Sequence, residues 1–409
     1  MGYFTNLLTA AMGRTHVPEV QASGIGPTDP RFLDLMNEIA FTESGANVTV
    51  KTAMKNTTVF RCVSLVSYAI GMLPLHLFEV GDGKKKADGH KLYQLLMTQP
   101  NDWQSAFDFK ALMQMRALVD GDAFALIVRS MGRPIRLVPL PNSMVSVKQN
   151  EDWTVEYHYQ PPRGTKKVFS ADEIFHLRGL SLDGLRGMSL VKQAAEAIGL
   201  ALQTERAAAR LFRNGMLVGG ALKHKQKLSP EAYERLKSSM AERESAENAH
   251  KWLILEEDMD ATPFGNSGKD NQHLETRAHQ IEEIARVFGV PRPLLMVDDT
   301  SWGSGIDVLG QFFVRYGLAP WFTAWEQAIH RSLLTESEKS RFYAKFNEGA
   351  LLRGSMKDQA EFFAKALGSG GHQPWMGVDE VRALQELGKA KPGQLPPPLG
   401  QQETGNEPS

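Results

Sequence analysis

Residues whose type and spacing could do chemistry are few, and they are poorly arranged for it. No GxxxxGK[ST] loop is present and no GxGxxG lies between a strand and a helix, so neither common backbone cradle for a nucleotide phosphate is built. The closest approach is the glycine-rich turn DGLRG at 183–187, which opens a long helix. A helix N-terminus there could hold a phosphate, but a tight turn feeding a helix explains the same residues and is the favoured reading. His273 and His279 lie six apart, on different helix faces, unlike the i, i+4 pair of a zinc peptidase. Glu282 and Glu283 follow in the pattern of a solvated face. The acidic run Glu256, Glu257, Asp258 and Asp260 could bind a cation, yet it lacks EF-hand spacing and reads as a solvated turn. No GxSxG elbow presents a serine. The single cysteine, Cys62, lies in an apolar helix stripe, where a thiol serves as a small hydrophobe. One cysteine also excludes an internal disulfide, a Cys-based zinc site and an iron–sulfur cluster. No catalytic residue, cofactor site or metal site is assigned.

What remains are contact surfaces. Lys84, Lys85 and Lys86 follow a Gly-Asp-Gly turn and read as a solvated loop tip. Lys223, Lys225 and Lys227 alternate with His224, Gln226 and Leu228, which could touch nucleic acid or an acidic partner, or form a solvated edge. The loop VDDTSWGSG at 297–305 sets Trp302 between serines and glycines. Such a loop could move and contact a ligand, or Trp302 could fold back on the core.

The elements that must position these residues follow from hydrophobic periodicity. Val59, Cys62, Val63, Val66 and Ile70 predict a helix that Gly71 and Pro74 end, followed by a strand in LPLHLFEV. A second helix spans 105–119, then a strand 123–129, with short strands near 136–140, 144–147, 154–159 and 173–178. This part is α+β with adjacent hairpins. From Ser189 the pattern predicts one uninterrupted helix over 189–213, with Leu190, Ala194, Ile198, Ala201 and Ala208 on its apolar stripe. Then come a strand at 218–222, a helix opened by Ser229-Pro230, a strand at 251–256 and a helix at 272–288. A long apolar helix at 306–334 is interrupted at Gly317 and Pro320, and helices at 357–367 and 378–387 close the structured part. Residues 1–47 read as a loose arm with at most short helices, and 391–409 as a disordered tail.

Composition bounds the function. The 409 residues suggest two or three domains. Lys+Arg number 46 against 47 Asp+Glu, a net charge of −1, which argues against coating nucleic acid by bulk charge. No apolar run reaches the ~18–20 residues of a membrane span, and the N-terminus lacks signal-peptide character, so the protein reads as soluble and made in the cytoplasm.

Several segments in fixed order resemble the portal proteins (head–tail connectors) of long-tailed bacteriophages, of the Hong Kong ninety-seven type. They are VFRCVSLVSYAIGMLPLHLFEV at 59–80, HKLYQLLMTQPNDW at 90–103, GDAFALIVR at 121–129, LVPLPNSMVSV at 137–147 and EIFHLRGLSLDGLRGMSLV at 173–191. ARLFRNGMLVGGAL at 209–222 and EEIARVFGVPRPLL at 282–295 continue the likeness, which runs from about Val48 to Leu387. Asp122 and Phe124 depart from the family's Gly-Asn-Ala-Tyr strand.

The resemblance implies a structural, non-enzymatic α+β portal fold of wing, helical stem, clip and crown. It would assemble as a ring of about twelve copies at one vertex of a virion. It implies a wing over 48–187 completed by a long helix and its return at 306–355. Stem helices fall at 188–214 and 269–289, a clip at 215–268, a tunnel loop within 290–305 and a crown at 356–390. The partners implied are further copies of the chain, double-stranded DNA in the channel, the major capsid protein, the terminase large subunit and head–tail adaptors, with no membrane. Asp299, Thr300, Ser301, Trp302, Gly303 and Ser304 would form the tunnel loop facing DNA. Lys223, Lys225, Lys227, Glu256 and Glu257 would dock adaptors and terminase at the clip. Ala194, Ala201, Ala208, Arg277 and Ile281 would lie between stems of neighbouring subunits. The virion would be assembled in a host bacterial cytoplasm.

Overall fold

A computed structural model describes residues 40–81, 85–214, 220–223, 230–241, 260–263, 267–297, 306–350, 356–369, 371, 373–384 and 388–390. The described chain opens on a small hairpin, β1 (Ala40–Phe41) and β2 (Asn47–Val48), at the end of the segment expected to be a loose arm. Backbone pairing and a hydrogen bond from Glu43 N–H to the Glu196 carboxylate hold it. Helices α1 (Val50–Ala53) and α2 (Thr57–Met72) follow. Asn56 starts α2 by accepting from the N–H groups of Thr58 and Val59. Cys62 is fully buried in the α2 stripe, and burial pushes its thiol up to about 12.

Strands β3 (Leu75–Glu79) and β4 (Lys85–Lys86) come next, then helices α3 (Lys91–Met97) and α4 (Ala106–Asp120). The α4 start is a reciprocal cap in which Ser105 Oγ accepts from Asp108 N–H and the Asp108 carboxylate accepts from Ser105 N–H. Strands β5 (Asp122–Ser130), β6 (Arg133–Leu140), β7 (Val145–Gln149), β8 (Val155–Tyr159), β9 (Lys167–Ser170) and β10 (Ile174–Arg178) form two antiparallel sheets, ordered β10-β5-β6 and β7-β8-β9. Phe124, Leu140, Val145, Tyr157 and Ile174 fill the space between them.

The helix expected over 189–213 is broken. Helix α5 (Leu190–Gln193) ends at Ala194, whose φ of −93° and ψ of 10° leave the helical region, and α6 (Ala195–Asn214) then starts afresh. Ser189 ties the first turn to α4 by donating to the Val119 carbonyl. After α6 come β11 (Gly220–Lys223), α7 (Pro230–Ala241) and β12 (Asp260–Pro263). The partner of α6 is α8 (Ser267–Phe288), and β11 pairs antiparallel with β12 between the two helices in sequence. The strand expected at 251–256 lies outside the described residues.

The long helix expected over 306–334 changes pitch where an interruption at Gly317 and Pro320 was expected. Helix α9 (Ile306–Phe312) passes through a π-helical turn (Phe313–Leu318) into α10 (Ala319–Ser332), with Pro320 in the first turn of α10 where its missing N–H costs nothing. Gly317 is there for closeness: a Cβ on it would meet the Gly289 carbonyl oxygen at 2.8 Å. The chain then runs through α11 (Glu336–Lys339) to β13 (Phe342–Phe346), which pairs with β3, far away in sequence, in the sheet order β13-β3-β4. Helices α12 (Met356–Ala366) and α13 (Val378–Leu384) close the described chain.

Helix α10 lies between two sheets and covers an edge of each. The Glu326 carboxylate accepts from Phe346 N–H of β13, and Arg331 donates to the His176 carbonyl of β10. Such capping blunts edges that would otherwise invite another strand. Trp325 is the anchor: it is 1% exposed, packs against Phe109 and Phe175, and donates from Nε1 to Gln114 Oε1 at 2.9 Å. Trp325→Ala should remove about 3–5 kcal/mol by leaving a cavity and an unpartnered Gln114. Urea unfolding checks this; a midpoint equal to that of the parent protein would contradict the anchoring role.

Candidate functional site

The residues singled out from the sequence divide sharply. Asp299, Thr300, Ser301, Trp302, Gly303 and Ser304 lie outside the described residues, as do Lys225, Lys227, Glu256 and Glu257. Lys223 ends β11, its backbone opposite Asp260. Ala201, Ala208, Arg277 and Ile281 are brought together in one groove between α6 and α8, beside Thr204 and Gln280. Ala194 stands apart, at the break before α6. Ala194 and Ala201 are 3% and 6% exposed, so one chain already covers them. Ala208 and Ile281 are half-buried and Arg277 is exposed, which leaves these three free to reach beyond the chain.

The densest polar site is one the sequence reading missed. It is built where α4 ends. Gly121 closes α4 with φ of 92°, in the left-handed region, and a Cβ there would run into the Gly187 carbonyl. This closeness sets Asp122, the first residue of β5, against the loop before α5. Its carboxylate is 0% exposed and accepts from three directions: His176 Nε2 at 2.9 Å, Arg186 Nε at 2.6 Å and Gly187 N–H at 2.8 Å. Its own carbonyl accepts from Asn142 Nδ2, which also reaches the Asp120 carboxylate. His176 Nδ1 meets the Tyr157 hydroxyl at 3.1 Å. The Asp122 carboxylate therefore joins β5, β10 and the 180–187 loop, and His176 extends the network to β8.

The electrostatics agree with a clamp. Burial alone would raise the Asp122 carboxyl, but the bonds from His176, Arg186 and Gly187 outweigh it and hold the group below the ordinary carboxylate range. Burial pushes the His176 imidazole down, and Asp122 offsets that only in part. The neutral imidazole then donates to Asp122 and accepts from Tyr157. An Asp–His–Tyr line could in principle move a proton. Here it ends on a phenol that burial has made less acidic, with His176 and Tyr157 3% and 6% exposed. Of the groups that bond the Asp122 carboxylate through a side chain, Arg186 is the one that reaches solvent, and the cluster fastens these elements together.

The DGLRG turn belongs to this clamp. Leu185 and Arg186 N–H groups donate to Asp183 Oδ1, Gly184 N–H to Ser181 Oγ and Gly187 N–H to Asp122. The N–H groups of Arg186 and Leu185 draw the Asp183 carboxyl down to about 2. Amides that a phosphate would need are already taken, so the tight-turn reading holds. Beside the clamp lies a cleft of about 510 Å³ bounded by Lys51, Arg116, Asp120, Asn142, Arg186 and Lys192. Among the described residues no three His, Cys, Asp or Glu side chains converge as a metal site requires, and no helix is long and apolar enough to cross a membrane.

The clamp makes stability pH-dependent. An unfolded imidazole takes a proton near pH ~6.5, while buried His176 resists it, so the unfolded state binds more protons and stability falls as pH drops below that point. Asp122, depressed in the native state, contributes above pH ~3.9 and is lost on further acidification. The urea midpoint should therefore decline between pH 7 and 5, and His176→Gln should flatten that slope. A slope unchanged in the variant removes His176 as its cause. Asp122→Ala should cost about 3–5 kcal/mol at pH 7, because it strands buried donors. A loss below about 1 kcal/mol, read from the same urea curves, would contradict the clamp.

Comparison with known proteins gives these elements a family. The profile of the phage portal protein family matches residues 57–386. The portal protein of Enterobacteria phage HK97 is 34% identical over 340 residues, which cover 81% of this chain and 78% of that protein. A probable portal protein of Streptomyces phage phiC31 is 28% identical over 443 residues, covering 100% of this chain and 91% of that one. Among solved structures, the neck of an empty gene transfer agent particle superposes with a TM-score of 0.63 at 24% identity, over 88% of this chain and 99% of that chain. The crystal structure of an HK97-family portal protein from Corynebacterium diphtheriae superposes with a TM-score of 0.53 at 19% identity, over 77% of this chain and 98% of that chain. The last two show the shared fold. With the match spanning both sheets, the Asp122 clamp, the paired long helices and α10, this chain belongs to the phage portal protein family, the head–tail connectors of tailed phages.

Proposed function

We propose that copies of this chain close into a ring of about twelve at one vertex of a tailed-phage or gene-transfer capsid, and that double-stranded DNA passes through the central channel during packaging and ejection. In this reading 48–187 is the wing, completed by 306–355. The stem is α6 and α8, the clip is 215–268, the tunnel loop lies within 290–305 and the crown is 356–390. Residues 1–47 and 391–409 are the terminal arms. The clip, through Lys223, Lys225, Lys227, Glu256 and Glu257, docks the terminase large subunit and the tail adaptors, and the wing meets the major capsid protein. The finished particle is assembled in the host cytoplasm.

The observation that carries this reading is the likeness to the HK97 portal protein over 81% of the chain. The physics supports it. Each phosphate contact adds affinity, and tightly held DNA could not slide, so a conduit suits a chain of net charge −1. A long-helix pair of 20 and 22 residues reaches about 30 Å, enough to wall a channel when repeated around an axis.

The tunnel-loop assignment has a direct test. Trp302→Ala, or shortening 297–305, should lower DNA packaging or retention several-fold while leaving ring assembly intact. Encapsidated DNA in complemented particles measures the first and electron microscopy the second. Normal DNA content in both variants would contradict the assignment.

A further inference from the structure

Among the described residues two helical stretches carry apolar side chains on both sides, and only one side of each meets the protein's own core. In α2 the inward residues Val59, Cys62, Val63, Val66 and Ile70 are buried, yet Phe60, Tyr68 and Met72 stand on the outer side, each more than half exposed. Phe107, at the start of α4, stacks on Tyr68 at 5.9 Å and widens this patch. The whole helix carries one charged residue, Arg61. The same arrangement recurs from α9 into the π-turn. Phe313, Val314 and Leu318 face the core, while Val308, Phe312 and Tyr316, spaced by four, are each more than half exposed. The Phe312 and Tyr316 rings pack on each other 4.7 Å apart.

A helix apolar all round is normally covered all round. Lone exposed apolar side chains are ordinary, but preorganised clusters of aromatic residues and Met beside Arg, without Lys or Glu, have the composition of interface cores. The two patches lie on different helices and differ in shape: one is a flat Tyr68–Phe107 stack, the other a ridge. Isologous dimers use one patch twice, whereas a ring needs two unlike patches that meet head to tail. A neck of related fold has been solved with C12 symmetry.

We propose that the Val308–Phe312–Tyr316 ridge of one copy seats on the Phe60–Tyr68–Met72–Phe107 face of the next, as an apolar seam that closes the ring. This rests on the ring reading above and names the surfaces that build it. The ridge directly follows 297–305, so the seam would fix the spacing of those loops around the axis.

The test uses the full chain and a double variant, Tyr68→Cys with Tyr316→Cys, treated with a short thiol–thiol cross-linker. Native Cys62 is fully buried and its thiol is pushed up to about 12, so it stays silent. The double variant should give a ladder of covalent dimers, trimers and higher species up to the ring, and neither single variant should. Tyr68→Asp and Tyr316→Asp should each lower the ring population about tenfold or more by native mass spectrometry. Their melting temperature as monomers should not move, because both side chains are exposed. Trp153→Asp, at another exposed apolar position, should leave the rings intact. Rings that persist in both Asp variants without a ladder overturn the seam and leave the ring reading standing. Dimers from a single variant overturn it in favour of an isologous contact. A parent protein that forms no ring overturns the ring reading and the seam with it.

Discussion

A carboxylate withdrawn from water must find its hydrogen bonds inside the protein, and Asp122 finds three of them on two separate stretches of chain. It takes His176 from β10, Arg186 from the loop before the long helices and the Gly187 amide from the end of that loop. The close pass of Gly121 and Gly187 makes this possible, and Ser189 adds a fourth tie to α4. The sheets and the long helices are therefore joined by a compact polar clamp at the point where the chain leaves one for the other. Remove the carboxylate and several buried donors lose their acceptor together, so the clamp is all-or-none.

The rest of the architecture builds outward from that joint. Helix α10 adds a second joint, with Trp325 in the core, Glu326 on the edge of one sheet and Arg331 on the His176 carbonyl at the edge of the other. The π-turn before it lets Gly317 press against Gly289 at the end of α8, which links the far helix to the same body. Both joints bury hydrogen-bonded polar side chains or bring glycines into contact. A protein that must guide DNA without gripping it needs shape more than charge, and such joints preserve shape when copies pack side by side.

Much of this was legible in the sequence because periodicity and capping are local. The 105–119 helix, the strand of LPLHLFEV and the hairpins before Arg178 follow from apolar spacing and turn residues, and the ordered likeness of short segments pointed to the portal family. What was missed depends on distant partners. Strand β13 exists because β3 offers an edge some 260 residues away, which no local pattern reports. The break at Ala194 lies close to the Ser189 bond to Val119, and the π-turn at Gly317 lies against Gly289, both distant partners. The Asp122 clamp left one trace, an aspartate where the family pattern has asparagine, but its meaning needed His176 and Arg186 placed beside it. Of the residues expected at the stem interface, Ala201, Ala208, Arg277 and Ile281 share a groove within one chain.

The central claim, that this fold is one segment of a DNA conduit, is tested most directly by electron microscopy of the purified full-length protein viewed along the particle axis. The account predicts closed rings with a central opening wide enough for a duplex, about 20 Å or more on the scale of DNA grooves. Closed particles without an opening, or rings too narrow to pass a duplex, would contradict it.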